Sequence, residues 1–359
     1  MEKEAKLLKG NEALALGAIR AGADGYFGYP ITPQSEVMEC LMEQAPWETT
    51  GMVVLQAESE ISSINMVYGG AACGKRVMTT TSSPGWSLMQ EGASYLAGAE
   101  LPCVVANVMR GGPGLGTIQP SQGDYFQATK GGGHGDYHFL VLAPNSVQEM
   151  ADFVGLGFDI AFKYRNPVMI LSDGVIGQMM EKVHLPEQRP RMSEEEIRKN
   201  YKWATIGHDG DHRAIVTSLE LQSQVMEENN HRFQAKYREM EEKEVRYEEI
   251  QTEDAEYIIV AFGSSSRIAQ KVVELCRAEG KKVGLIRPIT LWPFPTKRIK
   301  ELAQQAKGFI SVELNAGQMV EDVRLAVNGK CPVYHYGRMG GMIFAPGEIK
   351  EAMAKCFGW

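Results

Sequence analysis

The sequence has no closely spaced cysteines. Cys40, Cys73, Cys103, Cys276, Cys331 and Cys356 are scattered through 359 residues with no CxxC pair. Iron–sulfur and structural zinc sites usually announce themselves by close cysteine spacing, so the chain is expected to bind neither and to supply no metal ligands. Buried, reduced thiols of a cytosolic protein are the simpler reading. A basic surplus is also lacking: the net charge is −8, which argues against a nucleic-acid partner, since a phosphate-backbone binder needs a basic face. No apolar run reaches the length of a membrane span. The first residues, MEKEAKLLKGNEAL, contain no signal-peptide core, so a cytoplasmic chain without a membrane partner is expected.

What is present is an alternation of strand and helix signals. Apolar β-like runs fall at 25–29, 52–55, 77–80, 103–108, 139–142 and 167–171, with helical stretches such as 36–42, 61–72, 87–96 and 147–162 between them. Short continuous apolar strands separated by helices predict an α/β fold with a parallel sheet covered on both faces. The pattern stops near residue 187. Residues 220–250 are densely charged, contain no Gly or Pro, and read as a long, mostly solvated helix. Alternation resumes with YIIVAF at 257–262 and continues to PVYHY at 332–336. The expected organisation is therefore a domain over 1–190, a charged helical linker over 191–254 and a smaller α/β domain over 255–359.

Most phosphate-binding motifs fail on inspection. GGPGLG at 111–116 lacks the Lys-Ser/Thr ending of a P-loop and is not followed by a helical run. GGGHG at 131–135 reads as a tight loop, and the serines of AFGSSS at 261–266 are explained as helix caps. HDGD at 208–211 superficially suggests a metal–diphosphate loop but sits in the linker and is rejected. Two features say more. In GYPITPQSE, at 28–36, an apolar strand runs into Tyr29-Pro30-Ile31-Thr32-Pro33. Pro33 suits the first turn of a following helix, leaving Thr32 at its N-terminus either to hold an anion such as a carboxylate or simply to cap. Arg110 ends the strand CVVANVM before the glycine-rich turn. There an arginine faces the ligand crevice and suits a planar carboxylate, or else forms a structural salt bridge.

YPITP, Glu60 in QAESEISSINM, TTTSSPGWSLMQEG at 79–92, Arg110-Gly-Gly-Pro and VQEM at 147–150 together resemble the alpha subunit of 2-oxoacid:ferredoxin oxidoreductases. GGPGLGTIQPSQGDYFQATKGGGHGDY is similar to the 3-methyl-2-oxobutanoate, or 2-oxoisovalerate, type. LIRPITLWPFP and VELNAGQM resemble a transketolase C-terminal domain. The resemblance spans nearly the whole chain. It implies a thiamine-diphosphate pyrimidine-binding domain followed by the transketolase-like one, in an enzyme that converts a 2-oxoacid and CoA to acyl-CoA and carbon dioxide while reducing ferredoxin. It also implies partners: a beta subunit holding the diphosphate and Mg2+, a gamma subunit, and a ferredoxin-like subunit with [4Fe-4S] clusters. The lack of clustered cysteines and of a diphosphate–magnesium loop in this chain fits that division.

Such an enzyme needs a buried carboxylic acid hydrogen-bonded to the aminopyrimidine ring. Glu60 suits this better than Glu58, because helical spacing puts it on one face with Ile64, Val67, Tyr68 and Ala71, whereas Glu58 falls with Ser62, Asn65 and Gly69. The measure back from the SSPG turn also puts Glu60 at the family's glutamate position, and Glu58 is left as a first-turn charge suited to the helix dipole. The resemblance further implies that Thr32 and Arg110 bind the substrate carboxylate and that Tyr29, Pro30 and Ser83 line the cofactor pocket. A 2-oxoglutarate-specific member would need one more cation, for which Lys130, His134 and His138 are candidates. A non-catalytic scaffold subunit is the rival from another class.

Overall fold

The computed structural model describes residues 5–208, 210 and 213–359. The first four residues of the N-terminal reading, and Asp209 and Asp211 of HDGD, lie outside the described residues. All six apolar runs of the first half form strands of one seven-stranded sheet. Its order is Thr290–Trp292, Leu140–Leu142, Val168–Asp173, Val104–Met109, Val77–Thr81, Gly25–Gly28 and Val53–Gln56. Every pairing is parallel except that of Thr290–Trp292. Val77–Thr81, Val104–Met109 and Val168–Asp173 are buried along their whole length, because helices including Glu60–Ala72, Pro84–Gly98 and Val147–Tyr164 cover the sheet. Strand order turns back at Gly25–Gly28: the chain moves outward to Val53–Gln56, then returns to Val77–Thr81 on the other side. In such sheets the crevice beyond the carboxyl ends at the switch point is where ligands bind.

The second half builds a five-stranded sheet ordered Val333–Gly337, Gly308–Glu313, Tyr257–Val260, Val283–Pro288 and Tyr247–Ile250. Only the last strand is antiparallel to its neighbour. The charged segment therefore differs from its reading as one helix to residue 250. Its helix covers Ser223–Lys243 and buries Phe233, Tyr237 and Met240, an i, i+4, i+7 stripe, with Lys236 beside it paired to Glu100, while most of the other residues are exposed. Tyr247–Ile250 then takes the sheet edge, where Arg287 meets Glu248 and Arg298 meets Glu249. Charge density alone reads as solvated helix; antiparallel pairing with Val283–Pro288 makes the acidic run a strand, and the two distant arginines neutralise its carboxylates there.

The two sheets are joined by the chain itself. Thr290–Trp292 begins two residues after Val283–Pro288 ends, but pairs with Leu140–Leu142 of the larger sheet. Trp292 stacks on His138 with ring centroids 4.5 Å apart, so the smaller unit is anchored through an aromatic contact as well as a ladder. A separate two-stranded ladder pairs Ala5–Lys9 with Met180–His184.

Candidate active site

The proposed site residues come from the carboxyl ends of four neighbouring parallel strands. Beyond Gly25–Gly28 the chain turns through Tyr29-Pro30-Ile31-Thr32-Pro33, and the helix starts only at Ser35. Pro33 is thus not in a first helical turn, and Thr32 does not cap. The turn is fixed from below by the fully buried Gln34, whose amide nitrogen donates to the Tyr29 carbonyl (3.1 Å) and whose amide oxygen accepts from the Thr80 hydroxyl. The Pro33 carbonyl is taken by the amides of Asn11 and Gln178. Backbone groups that a helix start would use are already committed to these side chains.

Arg110 follows Val104–Met109 and is buried, at 8% exposure. Its Nη1 donates to the Thr32 carbonyl (3.0 Å) and its Nη2 to the Leu115 carbonyl (2.9 Å). The fold thus brings Thr32 and Arg110 together. Among the described residues, Arg110 has no acidic group within ion-pair distance, and its Nε is buried without a hydrogen-bond partner. A buried guanidinium bound only to neutral carbonyls keeps its charge available for an incoming anion.

Ser83, beyond Val77–Thr81, has φ of +29° and ψ of −83°, a conformation side chains rarely adopt. Its N–H donates to Asn107 Oδ1 (2.9 Å), and its hydroxyl donates to Asp124 Oδ2 (2.6 Å) while accepting from the Arg110 N–H (3.0 Å). Asn107 also donates to Asp124 (2.9 Å). Burial pushes the Asp124 carboxyl up from its ordinary range, opposed by hydrogen bonds from Ser83 and Asn107 and by the Arg110 charge. The Ser83 hydroxyl is therefore engaged within the chain.

Glu60 is the first residue of helix Glu60–Ala72, after the N-cap Ser59, whose hydroxyl accepts from the Ser62 N–H. Ser59 out-competes Glu58 as the cap. Glu58 accordingly precedes the helix and is exposed, with its carboxylate accepting from the Ser62 hydroxyl, so the first-turn acid is Glu60 itself. Glu60 is only 6% exposed, on the buried face with Ile64, Val67 and Ala71, while Ile61 is half exposed on the other. No described residue hydrogen-bonds its carboxylate. Opposite lies Gly85, in the first turn of Pro84–Gly98. A Cβ there would stand 2.8 Å from Glu60 Oε1 and 2.2 Å from Thr81 Oγ1, itself buried and without a partner. A buried carboxylate and a neighbouring orphan hydroxyl over a glycine floor form a cradle for a nitrogen heterocycle that donates and accepts hydrogen bonds.

A cavity of about 690 Å³ opens beside Arg110, Ser83 and Asp124 and is closed by Leu314, Asn315 and Met339 of the second unit. A larger one, about 1050 Å³, lies between Lys130, Glu242, Trp292 and Lys300 and touches none of the proposed site residues. We take the first as the substrate cleft, because it meets the strand ends and the free guanidinium. None of the three cation candidates lines it. Lys130 pairs with Asp322, His134 lines a cavity beside Tyr95, and His138 is stacked on Trp292 with its pKa lowered by burial. Sequence reasoning missed Asp124, Asn107, Gly85 and Gln34. Asn107 left a signal, a lone amide inside the apolar run VVANVM. The others left none.

Comparison with known proteins places the chain in a family. Residues 16–252 match the family described as pyruvate flavodoxin/ferredoxin oxidoreductase, thiamine diphosphate-binding, and residues 255–349 match pyruvate:ferredoxin oxidoreductase core domain II. The chain is 51% identical over 350 residues to ketoisovalerate oxidoreductase subunit VorB of Methanothermobacter marburgensis, covering 98% of this chain and 96% of the other. It is 35% identical over 368 residues to 2-oxoglutarate synthase subunit KorA of Methanocaldococcus jannaschii, covering 97% and 99%. Among solved structures, the 2-oxoglutarate:ferredoxin oxidoreductase from Magnetococcus marinus with 2-oxoglutarate, coenzyme A and succinyl-CoA bound superposes with a TM-score of 0.86 at 29% identity. That match covers 98% of this chain and 65% of the longer one. A split-gene transketolase matches with a TM-score of 0.59 at 11% identity, a likeness of fold alone. With its parallel-sheet first unit, its transketolase-like second unit and both family matches in register, the chain belongs to the 2-oxoacid:ferredoxin oxidoreductase family, as a thiamine diphosphate-binding subunit.

Proposed function

We propose that this chain is the alpha-type subunit of a cytoplasmic complex that oxidatively decarboxylates the branched-chain 2-oxoacid 3-methyl-2-oxobutanoate, forming an acyl-CoA and reducing ferredoxin. In this reading a beta-type partner holds the diphosphate and Mg2+, a gamma subunit completes the complex, and a ferredoxin-like partner carries [4Fe-4S] clusters. The observation that carries it is the unpaired, buried Glu60 carboxylate on the same sheet end as Arg110, whose guanidinium has no salt-bridge partner among the described residues. Thiamine diphosphate, when bound, supplies the nucleophilic carbon and the electron sink that decarboxylation of a 2-oxoacid requires.

The chain's own residues have separate tasks. Glu60 holds a proton at its carboxyl group for the aminopyrimidine, and Tyr29, Pro30 and the Ser83 turn, which follow neighbouring strands, are assigned to surround the cofactor. Burial among apolar neighbours strengthens that hydrogen bond, because no water competes for it. Arg110 and Thr32 bind the substrate carboxylate: the guanidinium through its spare N–H groups, Thr32 through its uncommitted hydroxyl. The cleft walls contributed by Pro113, Leu314 and Met339 suit an apolar substrate tail. The cation a distal carboxylate would need is not among them, which favours the branched acid over 2-oxoglutarate.

The test is the purified complex with a viologen acceptor and matched concentrations of 2-oxoacids. CoA-dependent reduction should be fastest with 3-methyl-2-oxobutanoate, and a clear 2-oxoglutarate preference would overturn the substrate assignment. Glu60→Gln, which keeps the shape and loses the transferable proton, should lower turnover by about 100-fold or more. Retained turnover in that variant would favour the scaffold reading.

A further inference from the structure

We infer that Asp124 is a positioning residue: it holds Ser83 and Arg110 in their binding geometry, and the second unit holds Asp124. This rests on the role proposed above for Arg110. Ser83 has φ of +29° and ψ of −83°, which relax unless the surroundings over-determine them. Its hydrogen bonds do so: the N–H donates to Asn107, the hydroxyl accepts from the Arg110 N–H and donates to Asp124, and it also lies 3.3 Å from the Arg110 carbonyl. Asp124 Oδ2 is the shared acceptor, since it takes both the Ser83 hydroxyl and the Asn107 amide that orients the Ser83 N–H. Deleting that one oxygen strands the buried Asn107 amide, leaves the Ser83 hydroxyl only the longer bond to the Arg110 carbonyl (3.3 Å), and loosens the turn that fixes the backbone of Arg110.

Asp124 in turn lies on a loop clasped by the second unit. The Ser121 hydroxyl donates to the Leu314 carbonyl (3.1 Å), and Asn315 Nδ2 donates to the Gln122 carbonyl (2.8 Å). The Gln318 amide bridges Asp124, donating to the Gly123 carbonyl before it (2.7 Å) and accepting from the Phe126 N–H after it (2.8 Å). The residues flanking Asp124 on both sides are thus held by the smaller unit. That unit has a task in the reaction beyond closing the cleft: it sets the substrate end of the site through one carboxylate.

The test measures steady-state kinetics of the assembled complex with Asp124→Ala, Asp124→Asn and Gln318→Ala, varying the 2-oxoacid and thiamine diphosphate separately. Asp124→Ala should raise the KM for the 2-oxoacid about tenfold or more and, through the loosened Ser83 turn, the half-saturating thiamine diphosphate by less, with kcat nearly unchanged. Asp124→Asn, whose amide oxygen accepts the same two hydrogen bonds, should restore KM to within about threefold of the parent. Gln318→Ala, which leaves Asp124 in place but loosens its loop, should raise KM in the same direction. It decides the matter alone if Asp124→Ala does not assemble. Parental KM in Asp124→Ala and Gln318→Ala, or equal losses in Asp124→Ala and Asp124→Asn, overturns the inference while an active parent leaves the proposed function standing. A parent complex that oxidises no 2-oxoacid refutes both.

Discussion

At the scale of single residues, the site depends on what lies opposite Glu60 as much as on Glu60 itself. Gly85 is there because a side chain would not fit: its Cβ would press on Thr81 Oγ1 and on the Glu60 carboxylate. The sequence TSSPGWS shows this glycine only as the residue after a helix-starting proline, a place where alanine would ordinarily raise helix propensity. We predict that Gly85→Ala displaces the carboxylate and lowers turnover of the complex by about 100-fold, the usual cost of a displacement near 1 Å in a reacting geometry. Its effect on binding of the 2-oxoacid should be small, because Arg110 is held from the other side by Ser83. Parental turnover in Gly85→Ala, measured by viologen reduction, would show that the cradle tolerates a methyl group.

At the scale of elements, the strand Tyr247–Ile250 shows how an acidic run becomes part of a sheet. Glu249 accepts from Arg298 Nε (2.6 Å) and Nη2 (3.1 Å), a two-pronged pair that pulls its carboxyl below the ordinary value of 4.5, against the opposing effect of burial. A depressed folded-state pKa means the folded state releases its proton more readily than the unfolded chain. The pair's stabilisation is then fully present above 4.5 and is lost as pH falls through the lower folded value. Glu249→Gln should therefore cost about 1 kcal/mol at neutral pH, the upper range for a partly exposed pair. The gap in melting midpoint between variant and parent should close as the medium is acidified below 4.5. A gap that is constant with pH would mean that Glu249 acts through packing and not through its charge.

At the scale of the whole molecule, the two units are joined by a dense network of hydrogen bonds and ion pairs, and Gln122 is one of its most connected members. Its amide nitrogen donates to the Phe262 carbonyl (2.8 Å), and its amide oxygen accepts from the Ser265 hydroxyl (2.6 Å) and the Leu314 N–H (3.1 Å). All lie in the buried seam between the larger sheet and the second unit. Gln122→Leu fills similar volume but strands these groups, and buried polar groups left unpaired cost about 1–3 kcal/mol each. We expect a loss of about 3 kcal/mol or more in urea unfolding, together with a raised KM, because the same loop carries Asp124. A stability loss under about 1 kcal/mol would mean that water replaces the amide there.

The sequence by itself determined the local parts. Apolar runs of strand length and the helical stripe carrying Glu60 depend on neighbours a few residues away, so the six parallel strands and the buried side of Glu60–Ala72 were legible without any coordinates. Arg110 at a strand end and the YPITP turn were legible as candidates for the same reason. What the tertiary structure alone decided are the meetings between distant segments. It set the helix start at Ser35 because Gln34 is spent on Thr80 and Tyr29. It made Tyr247–Ile250 a strand by pairing it with Val283–Pro288, where Arg287 and Arg298 meet its glutamates, and it sent Thr290–Trp292 across to the other sheet. It also placed Asp124 under Ser83, a pair 41 residues apart with no spacing rule to link them. Local pattern records which face of an element is buried, whereas a hydrogen bond between two buried polar groups exists only once the chain has brought both out of water to the same place.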